Sequence, residues 1–142
     1  AFENIDQVKE EYKRLSITAL VKTFDEKMHL LMQASNFMVS RAGASTVAEL
    51  IEIKLPAILI PYPYAKAHQE HNAYFVEEIV KGGITIVESF LNEVLLAKAI
   101  VSFFSDENIN EYRHHIQNYK QKTSLISFAN VVSVDMDLNE KN

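Results

Sequence analysis

The hydrophobic pattern of the chain alternates between helical spacing and short, continuous apolar runs. Apolar residues at three- and four-residue intervals predict a helix that ends near Leu15. The same spacing predicts further helices over residues 25–34, 46–53, 68–81, 92–104 and 106–120. Runs of β-prone residues lie between these helices, at residues 17–21, 37–40, 57–60 and 84–87. Strands that alternate with helices indicate βαβ units and a mainly parallel sheet.

The ends of two predicted elements depend on single features of the pattern. Gly82 and Gly83 follow the helix predicted over residues 68–81 and are interpreted as its stop signal. Beyond residue 120 the pattern is ambiguous, because residues 125–134 suit either a helix or a strand. The last residues are polar, and we expect them to be frayed.

Composition restricts the class of protein. A chain of 142 residues, 48% of them hydrophobic, fits one folded domain, and it has no apolar run near the ~20 residues of a membrane span. The net charge of −5 argues against a general nucleic-acid binder, and the absence of cysteine excludes disulfides and thiolate metal sites. The chain has three glycines, where average usage of about 7% gives roughly ten. Phosphate-binding α/β domains usually have several glycines in their first loop, so the shortage needs an explanation.

The turn after the second predicted strand is the first candidate site, because ligands of parallel sheets bind outside the carboxyl ends of the strands. The residues of this turn are Arg41, Ala42, Gly43, Ala44 and Ser45. Small side chains let a ligand approach the backbone, and the free N–H groups of a helix start attract phosphate. Thr46 and Glu49, however, have the spacing of a capping box, which needs no ligand. Spacing alone leaves both interpretations open.

The loop after the third predicted strand is the second candidate. Its prolines stiffen the chain, and polar side chains then gather at the start of the next helix, among them Gln69, whose amide suits sugar hydroxyls. The alternative is an ordinary exposed first turn of a helix. His68 and His71 have helical spacing, but no Asp, Cys or third His supports a metal site there. We therefore predict no metal and no cofactor, and the chain has no P-loop or GxGxxG motif.

Four motifs in the same order resemble the C-terminal domain of the MurG family, the bacterial UDP-N-acetylglucosamine:undecaprenyl-diphospho-muramoylpentapeptide N-acetylglucosaminyltransferases that make lipid II in peptidoglycan synthesis. The motifs are Phe24 with Met28, residues 40–46 with Glu49, residues 56–63, and His68-Gln69 with Asn72-Ala73. The resemblance is close over residues 17–88. It implies an α/β fold with a Rossmann-like, mainly parallel sheet. Residues 1–120 would form part of the UDP-sugar-binding C-terminal domain of a GT-B glycosyltransferase, followed by a C-terminal segment over 121–142.

The resemblance also assigns residues to the donor UDP-N-acetylglucosamine (UDP-GlcNAc). Phe24 and Asp25 match positions that border the uracil. The diphosphate-binding turn matches Ala44, Ser45 and Thr46, together with Arg41 and Gly43 of the same motif. Glu49 matches the acid that accepts hydrogen bonds from the ribose diol. The pair that contacts the GlcNAc hydroxyls matches His68 and Gln69, and Asn72 helps to fix that helix start. The chain departs from the family at Asp25, where an aliphatic residue is common, and at Lys54, where glycine is frequent.

The resemblance further implies that several parts of such an enzyme are missing from this chain. They are the N-terminal domain, which binds the lipid-linked muramoyl-pentapeptide acceptor and carries the general base, and the Gly-rich first loop with the first two strands of the C-terminal domain. The glycine shortage would then mark a missing segment. The strands predicted at residues 17–21 and 37–40 would have no direct neighbour, and unpaired apolar edges favour self-association.

These expectations define two functional hypotheses. The first is the donor-binding portion of an inverting N-acetylglucosaminyltransferase, inactive as this fragment alone and, in the full enzyme, cytoplasmic and peripheral to the inner face of the bacterial plasma membrane. The alternative is a non-catalytic UDP-sugar-binding or interaction module that needs a partner chain. Neither hypothesis involves nucleic acid.

Overall fold

The computed structural model describes residues 4–64 and 67–139, with side chains described as far as residue 123, except that of residue 106. Contacts within the chain divide it into two compact units, Ala1–Leu31 and Met32–Asn142. Within the described ranges, no helix combines the length and the apolar character that a membrane-spanning segment requires.

The first unit consists of one helix, a segment without regular secondary structure and the start of a second helix. Helix α1, Ile5–Arg14, begins after Asn4, whose side chain accepts a hydrogen bond from the N–H of Asp6. The helix thus ends where the pattern predicts. The strand predicted at residues 17–21 is wrong, because this segment is not assigned to any sheet in the described part of the chain. β-prone residues form a strand only when a neighbouring strand accepts their backbone hydrogen bonds, and Ile17 and Leu20 are instead 50% and 70% exposed.

Helix α2, Met28–Gln33, is shorter than the predicted helix over residues 25–34. Its start is delayed by Asp25, whose carboxylate accepts a hydrogen bond from the N–H of Lys27 at 2.8 Å. The other carboxylate oxygen of Asp25 lies 2.5 Å from the ammonium of Lys22. Both interactions lower the pKa of Asp25, the hydrogen bond from Lys22 most strongly. Asp25 is therefore not the first residue of α2 and lies in a turn that precedes it.

The second unit is built on a three-stranded parallel sheet in the order β1-β2-β3. The strands are β1, Met38–Ser40, β2, Ala57–Leu59, and β3, Gly83–Thr85. Val39, Ile58 and Ile84 are aligned across the sheet. Because β1 pairs with β2, the expectation that the strand near residues 37–40 lacks a direct neighbour is wrong, and only its other edge is open in the described sheet. The predicted α/β class with a parallel sheet is confirmed.

The helices of the second unit cover both faces of this sheet. They are α3, Ala44–Ile53, α4, His68–Tyr74, α5, Glu93–Phe103, and α6, Asp106–Asn139. Strand β2 is fully buried, and its side chains alternate between two cores. Ala57 and Leu59 pack with residues of α3 and α4, whereas Ile58 packs with Phe103 of α5 and Ile109 of α6. Helix α6 continues through residues 125–134, so the helical alternative for that segment is the correct one; residues 140–142 lie outside the described residues.

Helix α4 continues as a π-helix, Phe75–Val80, with Lys81 as its C-cap, so the end of the helix predicted over residues 68–81 is confirmed. Lys81 has the left-handed backbone conformation at φ 56°. Neither Gly82 nor Gly83 has a positive φ, so their interpretation as a stop signal is wrong. The two glycines are instead sites of close approach, one against the side chain of Ile116 and the other against the backbone of Ala57.

Lys54 ends α3 in a left-handed conformation, with φ 59° and ψ 41°. The N–H of Leu55 donates to the carbonyl of Leu50, and the N–H of Lys54 donates to that of Ile51, which is the hydrogen-bond pattern of a Schellman motif. The chain therefore keeps the turn that glycine favours while using lysine. Ser16, Ala67 and Lys81 also have positive φ, and none of the three glycines does.

Replacing Lys54 with glycine should stabilise the protein. We expect Lys54→Gly to raise the free energy of unfolding by about 1 kcal/mol, because glycine adopts the left-handed conformation without steric strain. Urea denaturation followed by circular dichroism measures this change. Lys98→Gly is the matched control, since Lys98 lies within α5 and glycine there should cost about 1 kcal/mol. Equal destabilisation by both substitutions would contradict the assignment of strain to Lys54.

Candidate functional site

The loops that follow the three strands meet at the carboxyl edge of the sheet. The side chain of Arg41, after β1, donates a hydrogen bond to the carbonyl of Ile60, after β2, at 3.3 Å. The same guanidinium forms a bidentate ion pair with the carboxylate of Glu88, after β3, with N–O distances of 2.6 and 3.2 Å. One side chain thus connects the ends of all three strands, at the edge where parallel sheets bind ligands.

The start of α3 has free backbone donors. Gly43 is the N-cap and forms no side-chain cap, and the first hydrogen bond of the helix runs from the N–H of Val47 to the carbonyl of Gly43 at 2.9 Å. Among the described residues, the N–H groups of Ala44, Ser45 and Thr46 have no acceptor. Free N–H groups at a helix start favour an anionic ligand.

The capping-box interpretation of Thr46 and Glu49 is wrong. Helix α3 begins at Ala44, two residues earlier than the predicted start, so Thr46 lies inside the first turn and is not the cap. Glu49 is exposed, and its carboxylate makes no hydrogen bond or ion pair with a described residue. Thr46 and Glu49 are three residues apart and therefore share a face of the helix. The polar groups on this face are available to a ligand.

Two side chains of α4 tie its start to the neighbouring loops. The amide nitrogen of Asn72 donates to the carbonyl of Ala42 at 2.9 Å, next to the start of α3. The amide oxygen of Gln69 accepts a hydrogen bond from the N–H of Tyr62 at 3.0 Å. With its oxygen engaged, Gln69 presents its NH₂ group as a hydrogen-bond donor.

The remaining predicted residues are not part of this network. His68 is the exposed first residue of α4 and has no described hydrogen-bond partner. Phe24 is 77% exposed and, like Asp25, lies in the first unit. Among the side chains that the structure describes, in residues 4–64 and 67–123 apart from residue 106, no group of three His, Asp or Glu is arranged to hold a metal ion.

Sequence reasoning missed Glu88 and the backbone groups of Tyr62 and Ala42. A signal for Glu88 was present, because it is the first charged residue after β3, at the edge that the turn after β1 had already indicated. No sequence signal exists for the two backbone groups, since every residue except proline carries the same donor and acceptor.

The Arg41–Glu88 ion pair should make stability depend on pH. The hydrogen bond from Arg41 lowers the pKa of Glu88 below its ordinary value of 4.5. Because the folded carboxyl then binds protons less readily than the unfolded one, the contribution of the pair is complete above the unfolded pKa and is lost as pH falls through the folded pKa. We expect wild type to be more stable than Glu88→Gln at pH 6 to 7, and the difference to shrink below pH 4.5. Urea denaturation at each pH measures it, and a difference independent of pH would contradict the role of the charge.

The chain matches a known domain family and is similar in sequence to known proteins. Residues 2–128 match the family described as "Glycosyltransferase family 28 C-terminal domain". The chain is 36% identical over 133 residues to the UDP-N-acetylglucosamine--N-acetylmuramyl-(pentapeptide) pyrophosphoryl-undecaprenol N-acetylglucosamine transferase of Protochlamydia amoebophila, covering 93% of this chain and 35% of that protein. It is 34% identical over 125 residues to the transferase of the same name from Chlamydia pneumoniae, covering 88% and 35%.

The fold is also similar to a solved structure. The crystal structure of MurG from Acinetobacter baumannii matches with a TM-score of 0.73 and 20% sequence identity, over 83% of this chain and 35% of that one. The chain therefore spans about a third of the length of the relatives that it matches.

Proposed function

We propose, for a chain that belongs to the glycosyltransferase family 28 C-terminal domain family, that the carboxyl edge of its sheet binds the diphosphate and sugar of UDP-GlcNAc. The chain would be the donor-binding portion of an inverting N-acetylglucosaminyltransferase that makes lipid II in peptidoglycan synthesis. The relatives that support this proposal are named as N-acetylglucosamine transferases and are about three times as long.

The free N–H groups at the start of α3 are the observation that carries the proposal. The groups of Ala44, Ser45 and Thr46 point out of the helix end without an acceptor in the described chain, and the nearby Glu49 carboxylate is unpaired. A diphosphate supplies the acceptors that these N–H groups lack, and a ribose diol supplies the donors that Glu49 lacks. During transfer, the same N–H groups would stabilise the negative charge of the departing UDP.

The start of α4 is proposed to bind the sugar. Gln69 presents a donor to a GlcNAc hydroxyl, while the exposed His68 contacts a second hydroxyl. Asn72 positions both through its hydrogen bond to the carbonyl of Ala42. Phe24 and Asp25 belong to the first unit, and their assignment to the uracil contact stays a prediction.

Calorimetric titration of the chain with UDP-GlcNAc, UDP and UMP tests the donor site. If the N–H groups of α3 bind the second phosphate, UDP should bind roughly tenfold or more tightly than UMP, because charge-assisted hydrogen bonds contribute about 1.5–3 kcal/mol. Equal affinities for UDP and UMP, or no binding of any of the three, would exclude the proposed site.

The complete reaction is proposed to need a second domain that binds the lipid-linked muramoyl-pentapeptide acceptor and supplies the general base. In the full enzyme the protein would be cytoplasmic and peripheral to the inner face of the plasma membrane. The chain alone should transfer no GlcNAc from labelled UDP-GlcNAc to that acceptor, even though it binds the donor. Transfer by the chain alone would show that the acceptor and base functions lie within these residues.

Self-association is proposed through the open apolar edges. Strand β1 has an open edge in the described sheet, with Val39 37% exposed, and Ile17 and Leu20 are exposed in a segment of the other unit that has no regular secondary structure. An open strand edge pairs readily with another chain, and exposed apolar side chains favour association. Size-exclusion chromatography over a range of concentrations should detect dimers or larger species. A stable monomer that melts cooperatively would contradict this prediction.

A further inference from the structure

The carboxyl edge of the sheet contains an ion pair whose carboxylate, Glu88, the proposed donor contacts do not use. Glu88 follows β3 and holds the guanidinium of Arg41 by two hydrogen bonds, from Nη1 to Oε2 and from Nη2 to Oε1. The side chains are 47% and 35% exposed, so the pair lies at the surface, where an isolated ion pair contributes little to stability. The pair is nevertheless bidentate, and bidentate hydrogen bonding to a carboxylate fixes the plane of a guanidinium.

Arg41, oriented in this way, contacts the loop after β2. Its Nη1 atom donates to the carbonyl of Ile60 at 3.3 Å and approaches that of Pro61 at 3.5 Å, and its guanidinium carbon lies 5.4 Å from the centre of the Tyr62 ring. The N–H of Tyr62 in turn holds the amide of Gln69. Consecutive contacts therefore connect Glu88 with the residue that is proposed to bind the sugar.

We propose that Glu88 is a positioning residue for the sugar of the donor, acting through Arg41 and Tyr62 on Gln69; this inference rests on the proposed function. Without the carboxylate, the guanidinium keeps only carbonyl acceptors, which do not fix its plane. The loop that carries Tyr62 then has more conformational freedom, and binding of the sugar must order it. The effect is therefore largest for ligands that contact Gln69.

The first test is spectroscopic and needs no ligand. In ¹H–¹⁵N correlation spectra of the chain, Glu88→Gln should shift the side-chain NH₂ signals of Gln69 and the backbone N–H signal of Tyr62, whereas Glu88→Asp should return both towards their wild-type positions. Glu78→Gln is the matched control, because Glu78 is an exposed glutamate in the π-helix with no described ion pair. Unchanged Gln69 and Tyr62 signals in Glu88→Gln would overturn the proposal.

The second test separates positioning from a merely structural role. Glu88→Gln should raise the Kd for UDP-GlcNAc about fivefold, the change that an exposed ion pair can contribute, and raise the Kd for UDP less, because UDP lacks the sugar that contacts Gln69. Glu88→Asp should recover most of the loss. An equal loss for both ligands would overturn the positioning role while leaving the donor site in place. Failure of wild type to bind either ligand would instead overturn the donor site, and with it this inference.

Discussion

Glu49→Ala should lower the affinity for UDP-GlcNAc tenfold or more while leaving the thermal melting of the chain almost unchanged. A carboxylate that accepts hydrogen bonds from a ribose diol contributes about 1.5–3 kcal/mol to binding, which corresponds to a factor of roughly ten to a hundred in Kd. The exposed Glu49 carboxylate contacts no described side chain, so its removal should change stability by less than about 0.5 kcal/mol. Calorimetric titration and a thermal melt of the same protein measure the two effects.

Glu78→Ala is the matched control for Glu49→Ala. It removes the same charge from an exposed position in the π-helix that continues α4, so it should change neither the Kd nor the melting temperature. A capping role for Glu49 would reverse the expected pattern, since loss of a cap lowers stability by about 1 kcal/mol and leaves affinity unaffected. That result would contradict the free start of α3 as well as the ribose assignment.

Gly83→Ala should destabilise the fold by about 3 kcal/mol or more. A Cβ atom at Gly83 would lie 2.0 Å from the carbonyl oxygen of Ala57, and both residues belong to paired strands. Because the obstacle is backbone, the clash is relieved only by separating β2 from β3, which are in contact at the centre of the unit. Urea denaturation followed by far-ultraviolet circular dichroism measures the loss, and a variant that fails to fold agrees with it.

Gly43→Ala provides the contrast with Gly83→Ala. At Gly43 the nearest atom to an added Cβ is the hydroxyl oxygen of Thr46 at 3.6 Å, an ordinary contact, and φ is −66°. We expect a cost below about 1 kcal/mol, from the lower preference for alanine at an N-cap. An unfolding midpoint for Gly83→Ala equal to that of Gly43→Ala would contradict the close approach of the strands.

Local patterns predicted the described elements well where side chains alone determine the structure. The helices α5 and α6 and the central strand β2 follow from apolar spacing, because each buries a stripe or a face against the core. Apolar spacing also predicted the end of α1, although none of the residues of this helix is buried. The motif around Arg41 lies at the carboxyl edge of the sheet, as its predicted position after a strand implies. The errors occurred where the structure depends on a partner, as at residues 17–21, which have no neighbouring strand in the described sheet.

The glycines illustrate the same distinction in a single residue type. Their shortage was visible in the sequence, but their roles were not. The residues with a left-handed backbone are Ser16, Lys54, Ala67 and Lys81. Glycine is instead required at position 83 because the backbone of Ala57, 26 residues earlier in the chain, lies where a Cβ atom would be. A conformational preference is local, whereas a steric requirement between strands depends on their register.

The sequence by itself determined the parallel α/β architecture, the family and the two candidate loops at the carboxyl edge of the sheet, because periodicity, small residues and motif spacing are properties of neighbouring residues. The tertiary structure alone decided that Thr46 and Glu49 are not a cap, that Gln69 presents its donor end, and that Arg41 is held by Glu88, 47 residues away. These contacts follow from the pairing of β1, β2 and β3, which brings their carboxyl ends to one edge. Hydrogen bonds between such distant residues depend on strand register and loop path, which the local pattern does not specify.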